Sequence, residues 1–185
     1  MRWRLACLAL LGCLLATNAW AGPISLTTSV GNGTSPGLGK IVTGTSGATT
    51  FTVSSAGAVS SSGGAIRLLG NASVTTPTLT ITCHDGTGSN TCVSHSSSVT
   101  VTLASSSSSG GRAGSITGIT GSLFSGTAAV TNTSNTVVTI TPTGGHMTNG
   151  QQIEIRLGMS IQINNTGAGL GAQTVFSYTL NTNAS

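Results

Sequence analysis

Six stretches of this chain alternate apolar and polar side chains with a period of two, and that alternation leaves few folds open. They are "LTIT" (Leu79–Thr82), "SVTVTL" (Ser98–Leu103), "TVVTIT" (Thr136–Thr141), "IEIRL" (Ile153–Leu157), "SIQI" (Ser160–Ile163) and "VFSYTL" (Val175–Leu180). A period of two puts the apolar residues of an extended segment on one face and the polar ones on the other. Between these stretches lie "GNGTSPG", "SSSGG", "SSSSSGG" and "TGAGLG", clusters that favour turns and positive φ. No segment carries sustained helical spacing. Short half-buried strands with such punctuation predict an all-β, antiparallel sandwich. A solenoid would need a longer repeat than the brief "ITGITG" at Ile116–Gly121.

The N-terminus sets the compartment. Arg2 and Arg4 precede an apolar run from Leu5 to Leu15, and Ala19-Trp20-Ala21 supplies the small-x-small pattern of a signal-peptidase site. Residues 1–21 are therefore expected to be a secretory signal and 22–185 one domain, exported through the periplasm towards the cell surface. The competing reading is a lipoprotein site at "LLGC", with Cys13 lipidated, but it leaves a very short apolar core and no polar tether after it. No later stretch is long and apolar enough for a membrane span of roughly 20 residues.

Without the signal the chain keeps two cysteines, and its aromatics are Phe51, Phe124, Phe176 and Tyr178. The core must be aliphatic. Four cations (Lys40, Arg67, Arg112, Arg156) face two acids (Asp85, Glu154), a net charge of +2. That is too little for nucleic-acid binding, which needs several phosphate contacts. The many Val, Ile and Thr residues argue against disorder. With no paired carboxylates and three histidines, acid–base catalysis has little raw material, so no enzyme and no cofactor are expected.

The stretch "TCHDGTGSNTCVSH" (Thr82–His95) gathers Cys83, His84, Asp85, Cys92 and His95. In an oxidising compartment with no third thiol, Cys83 and Cys92 are expected to form a disulfide, stapling a hairpin between "LTIT" and "SVTVTL". The zinc alternative, Cys83, His84, Cys92 and His95, lacks the usual pair spacings. His84, His95 and His146 then read as loop residues. Gly33-Thr34-Ser35-Pro36-Gly37 fits a nucleophile elbow, but proline has no N–H for an oxyanion. Gly167–Ala172 fits a loose dinucleotide fingerprint, but a strand pattern follows where a helix is required. The threonine arrays raise an ice- or polysaccharide-binding face, although without a solenoid period nothing is expected to bring them into line. Asn-x-Ser/Thr triplets at Asn71 and Asn132 are expected by chance here.

Both ends of the exported chain read as striped strands. Ile24, Leu26, Thr28 and Val30 share one face of the first segment, and Phe176, Tyr178 and Leu180 share one face of the last. The closing face is expected to be core or a chaperone-recognised edge. Such strands must find a sheet edge, in their own molecule or in the next one.

"LGKIVTGTSGATTFTVSSAGAVSSSGGAIRLLG" (Leu38–Gly70) resembles a bacterial secreted domain-of-unknown-function family. Its hallmark is an apolar residue plus Gly-x-Ile, a Gly-containing spacer, a strand, a Gly turn and a "GG" before another strand. "FSYTLNTN" (Phe176–Asn183) is similar to its closing strand. Family members usually carry Phe where this chain has Leu38, and the close cysteines look like a local elaboration. The family looks related to spore coat protein U-like proteins and chaperone–usher pilins. The resemblance implies an immunoglobulin-like, pilin-type β-sandwich and a fimbrial or adhesive surface role. It also implies partners: sister subunits, a periplasmic chaperone and an outer-membrane usher. Residues 22–31 would then be the donor segment completing a neighbouring subunit. A self-complete secreted sandwich that binds carbohydrate or a host surface is the alternative.

Overall fold

The computed structural model describes the backbone of residues 24–29 and, in full, residues 36–69, 72–84, 92–93 and 96–185. The expected signal segment 1–21 with Cys13 lies outside them, as do Val30, Asn71, Asp85 and His95. Among the described residues the chain runs through twelve strands. These are β1 (Ile24–Ser29), β2 (Ile41–Val42), β3 (Ala48–Val53), β4 (Val59–Ser62), β5 (Ile66–Arg67), β6 (Thr78–Cys83), β7 (Val99–Gly110), β8 (Gly114–Ser125), β9 (Ala128–Ser134), β10 (Val137–Pro142), β11 (Gln152–Asn164) and β12 (Thr174–Ala184).

The longest, β11, is the axis of a six-stranded sheet. The sequence pattern divides it into "IEIRL" and "SIQI", but Gly158 and Met159 continue the strand between them. Ile153, Ile155, Leu157, Met159, Ile161 and Ile163 are all buried on one face. β8 runs antiparallel along one flank. On the other flank β6 pairs with Gln152–Arg156 and β3 with Met159–Asn164, so two strands lie end to end beside one. At that junction a Cβ on Gly158 would sit 2.6 Å from the Val53 carbonyl oxygen and 2.8 Å from the Ser55 nitrogen. Only glycine fits where β3 leaves. β1 pairs outside β6 and β4 outside β3.

The second sheet has the order β12-β7-β10-β9, and β2 pairs β5 in a small ribbon. Leu79, Ile81, Ile153, Ile155 and Leu157 from the first sheet pack with Val99, Val101, Val138 and Ile140 from the second. A neighbouring cluster joins Phe51, Val53, Met159, Ile161 and Ile163 to Phe176 of β12. Leu103 packs against both clusters. The architecture is an all-β, antiparallel, sandwich-like fold with an aliphatic core.

Two features depart from the sequence pattern. The serine run Ser105–Ser109, expected as a turn, is the second half of β7. All five ladder with β12, and Ser105, Ser107 and Ser109 face outward. Ser106 and Ser108 turn inward, where their hydroxyls accept hydrogen bonds from the Ile116 nitrogen (2.7 Å) and the Gly114 nitrogen (3.0 Å). The hydroxyls stand in for a paired strand and tie the two sheets together. β8 escapes a period-two reading because its inward residues, Ile116 and Ile119, are three apart. A register shift opposite Ser160 and Ile161 absorbs the extra residue.

The disulfide Cys83–Cys92 is present, with the two Cα atoms 5.8 Å apart. It does not staple a hairpin. β6 belongs to the first sheet and β7 to the second, so the bridged loop is a crossover between sheets. The turn chemistry of "DGTGSN" suits a hairpin equally well, which is why local sequence cannot separate the two. Both cysteines are fully buried beside Met147 and Ile153.

Closing a loop of about ten residues contributes roughly 2.5–3 kcal/mol on the chain-entropy relation. Unreduced protein should yield a Cys83–Cys92 peptide pair two hydrogens lighter than the thiols, and Cys83→Ala/Cys92→Ala should unfold at a clearly lower denaturant concentration. Finding two free thiols in the native protein would refute the staple. A second test concerns β12, where Phe176 is 8% exposed and Thr179 faces solvent. Phe176→Ala should cost about 3–5 kcal/mol and Thr179→Ala less than about 0.5 kcal/mol. Equal shifts in the denaturation midpoint would mean that the strand's inward face is misassigned.

Candidate functional site

β1 and β12 are edge strands of different sheets. β1 pairs antiparallel with β6, with Ile24 opposite Cys83, Leu26 opposite Ile81 and Thr28 opposite Leu79. The segment nominated as a donor strand thus lies along its own sheet, held on one side. β12 is an edge of the second sheet and pairs with β7 from Thr174 to Ala184. Beyond it, Ser98 and Ser185 exchange two backbone hydrogen bonds of 3.0 Å. Phe176 is buried and Tyr178 and Leu180 are half-buried against the core, while Val175, Ser177 and Thr179 alternate outward. Tyr178 faces Ser106 across the ladder, and Phe176 faces Ser108. Small residues on β7 make room for the two rings.

Near the start of β12 lies a groove of about 980 Å³ that no sequence pattern announced. Leu38, Ile161, Ile163 and Phe176 contribute apolar surface to it, and Leu68 and Leu170, both mostly exposed, also line it. Two cations, Lys40 and Arg112, are part of the lining, and no acid is. The wall carrying Leu38 and Lys40 is braced by Arg67, the one buried cation among the described residues. Its Nε donates to the Leu38 carbonyl and its Nη1 to the Ala72 carbonyl, both at 2.5 Å. A buried guanidinium with carbonyl acceptors clips two loops to one ribbon. The hallmark "GG" has a related task. A Cβ on Gly44 would lie 2.9 Å from the Gly64 backbone, so the strand entry and the "GG" turn meet in contact. Thr49 and Asn165 lock them: Thr49 Oγ1 donates to Asn165 Oδ1 (3.1 Å) and accepts from the Ala65 nitrogen (2.8 Å). Asn165 Nδ2 donates to the Ser46 carbonyl (2.9 Å).

The outer face of the four-stranded sheet is the second candidate surface. Antiparallel register places Asn183, Thr100, Thr139 and Thr131 in one row across β12, β7, β10 and β9. Threonines of β7, β10 and β9 therefore come into line through strand pairing, while the "TLTIT" array lies on β6 in the other sheet. The Thr133 and Thr139 hydroxyls are hydrogen-bonded at 2.9 Å. Those four strands contain no Lys, Arg, Asp or Glu. On the other sheet β11 carries Glu154 and Arg156, and the Arg156 guanidinium lies 3.8 Å from the centroid of the half-exposed Phe124 ring.

The remaining sequence candidates stay apart. His84 is exposed next to a cysteine whose sulfur is bonded to Cys92. His146 is half-buried beside Met147. No group of three or more His, Cys, Asp or Glu side chains converges among the described residues. Among them, too, no helix is long and apolar enough to cross a membrane.

Burial pushes the Tyr178 hydroxyl up from its ordinary value of 10 to about 12. It is the one tyrosine of the chain. Folding therefore favours the neutral phenol, and this stabilisation is complete below pH 10 and lost as pH rises through 12. The tyrosinate absorbance of the native protein should titrate near 12, and that of the denatured protein near 10. A native midpoint near 10 would place the ring in water.

Comparison with family models, with curated proteins and with solved structures returns no match for this chain.

Proposed function

We propose that this chain is a non-enzymatic structural or adhesive protein of the bacterial surface, a pilin-like immunoglobulin-type sandwich assembled by strand complementation. The observation that carries the reading is the edge position of β1, which pairs within its own sheet, so that assembly would proceed by exchange of a strand the chain otherwise supplies to itself. It is N-terminal, apolar-striped, and hydrogen-bonded to one neighbour, β6, at the edge of its sheet. A second molecule's β1 can take the same place and restore the same backbone bonds, so exchange requires no new interface and little net free energy. Export through the periplasm, capture by a chaperone at an open sheet edge, and delivery to an outer-membrane usher are the expected route. The partners are sister subunits or further copies of the chain.

A second reading is favoured by one observation, the charge-free hydroxyl and amide face of the four-stranded sheet. A self-complete sandwich would present that face to a neutral polysaccharide or host glycan. Hydroxyl and amide groups match such a surface, and no fixed charge has to be desolvated against it.

Size-exclusion chromatography and denaturant unfolding of the exported chain, with and without residues 22–31, separate the readings. Under strand complementation the shortened chain is destabilised, binds a synthetic 22–31 peptide, and regains its unfolding midpoint; the intact chain forms concentration-dependent oligomers. A shortened chain that stays a monomer of unchanged stability and ignores the peptide would eliminate donor-strand assembly. Co-sedimentation with insoluble neutral glucans, weakened at least about tenfold by Thr139→Lys, would then select the second reading.

A further inference from the structure

We propose that the groove between the 36–43 segment and the start of β12 binds an amphiphile with a single anionic head, a carboxylate on an alkyl chain. The inference stands apart from strand exchange, because it rests on side chains that β1 does not contribute. A pocket of about 980 Å³ lies at the upper end of the range for small-molecule sites, which are mostly apolar with a few placed polar groups. Here Leu38, Ile161, Ile163 and Phe176 lie at the apolar wall, and exposed apolar surface comes from Leu68, Leu170 and Val175. Thr43, Gln173 and Thr174 add neutral polar groups to the two cations, with no acid among the described lining residues. One anionic group answers that charge. A polyphosphate or nucleic acid would need more cations and a less apolar wall, and a neutral glycan would leave both cations unanswered.

Arg112 identifies the head-group end. Its Nη1 donates to the Gly167 carbonyl, and its own carbonyl accepts from Thr174 Oγ1 at 3.0 Å, so the residue is anchored to both sides of the loop that leads into β12. Its Nε is buried and has no acceptor among the described residues. A buried donor without a partner is costly, and a carboxylate at the groove wall supplies the missing acceptor after a small rotation of the guanidinium. Lys40 lines the same groove from the opposite segment and is exposed, able to follow the head group. The loop also presents the tail site. Leu170 is 74% exposed between Gly169 and Gly171, both at positive φ. A Cβ on Gly169 would lie 2.3 Å from the Gly111 backbone, so the loop is seated against Gly111 with its leucine held at the groove. An alkyl chain along Leu68 and Leu170 removes from water two leucines that the fold leaves exposed.

Isothermal titration calorimetry of the intact disulfide-bonded protein tests the site. The probes are dodecanoate, dodecanol and dodecyltrimethylammonium, each below its aggregation threshold. Dodecanoate should bind at one per chain, and the cationic amphiphile at least about tenfold more weakly. Arg112→Gln and Lys40→Gln should each weaken dodecanoate about tenfold without changing dodecanol binding. Lys40→Gln, at an exposed position, keeps the test valid if Arg112→Gln fails to fold. Equal affinity for the three head groups, no saturable binding, or insensitivity to Lys40→Gln would overturn the proposal. So would displacement of dodecanoate by the 22–31 peptide with no effect of either cation variant, an outcome that assigns the groove to a strand.

Discussion

The alternation of β11 is the constraint from which the rest of the architecture follows. Six apolar side chains at every second position from Ile153 to Ile163 point to one side, and both halves of the core are built on them. A strand of this length cannot be matched on both flanks by single partners of ordinary size. One flank takes β8, and the other takes β6 and β3 in series. Gly158 sits where that series breaks, and a side chain there would meet the β3 backbone. The two-lobed core, the edge positions of β1 and β4, and the need for crossovers between sheets are consequences of this one long strip.

Where the ladder breaks, polar side chains complete it. Asn132 accepts from the Gly121 nitrogen (2.6 Å) and donates to the Gly121 carbonyl (3.3 Å), so one amide replaces a paired residue between β9 and β8. Ser106 and Ser108 do the same between β7 and β8, and Thr49 with Asn165 between the ends of β3 and β11. Buried backbone groups that find no strand must find some other partner. In a chain with so few charges, hydroxyls and amides serve, and they do so without the desolvation penalty of an ion. Arg67 is the exception, and it donates to the Leu38 and Ala72 carbonyls.

These devices explain which parts of the fold can be read from the sequence. β6, β10, β11 and β12 are legible because each buries a period-two stripe against one neighbouring sheet. The first half of β7 is legible for the same reason, whereas its serine half is not. Serines 106 and 108 are half-buried as hydrogen-bond acceptors, and no hydropathy pattern marks that role. β8 is hidden by its bulge. The disulfide is legible from the expected compartment and the cysteine count, but whether it closes a hairpin or a crossover depends on strand pairing far from the cysteines. The groove is not legible at all: Lys40, Arg112 and Phe176 are widely separated in the sequence, and the β11–β12 loop brings them together. The segment from Ile24 is legible as a striped strand, yet the stripe carries no information about whose sheet it joins.

The scarcity of charge bears on assembly as well as on folding. Natural sheet edges are blunted against unwanted pairing by charges, prolines, bulges or short length. Here β1, β4, β9 and β12 contain no charged residue and no proline. β4 is short, β9 is irregular where Val137 and Val138 shift register, and β12 has a shift between Thr179 and Leu180. For β1 the antiparallel pairing with β6 is regular from Ile24 to Ser29. β1 and β4 thus have neither a charge nor a register shift in their ladders, and of the two β1 is the longer. An edge strand with regular pairing and no charge leaves its outer backbone groups open to one further strand.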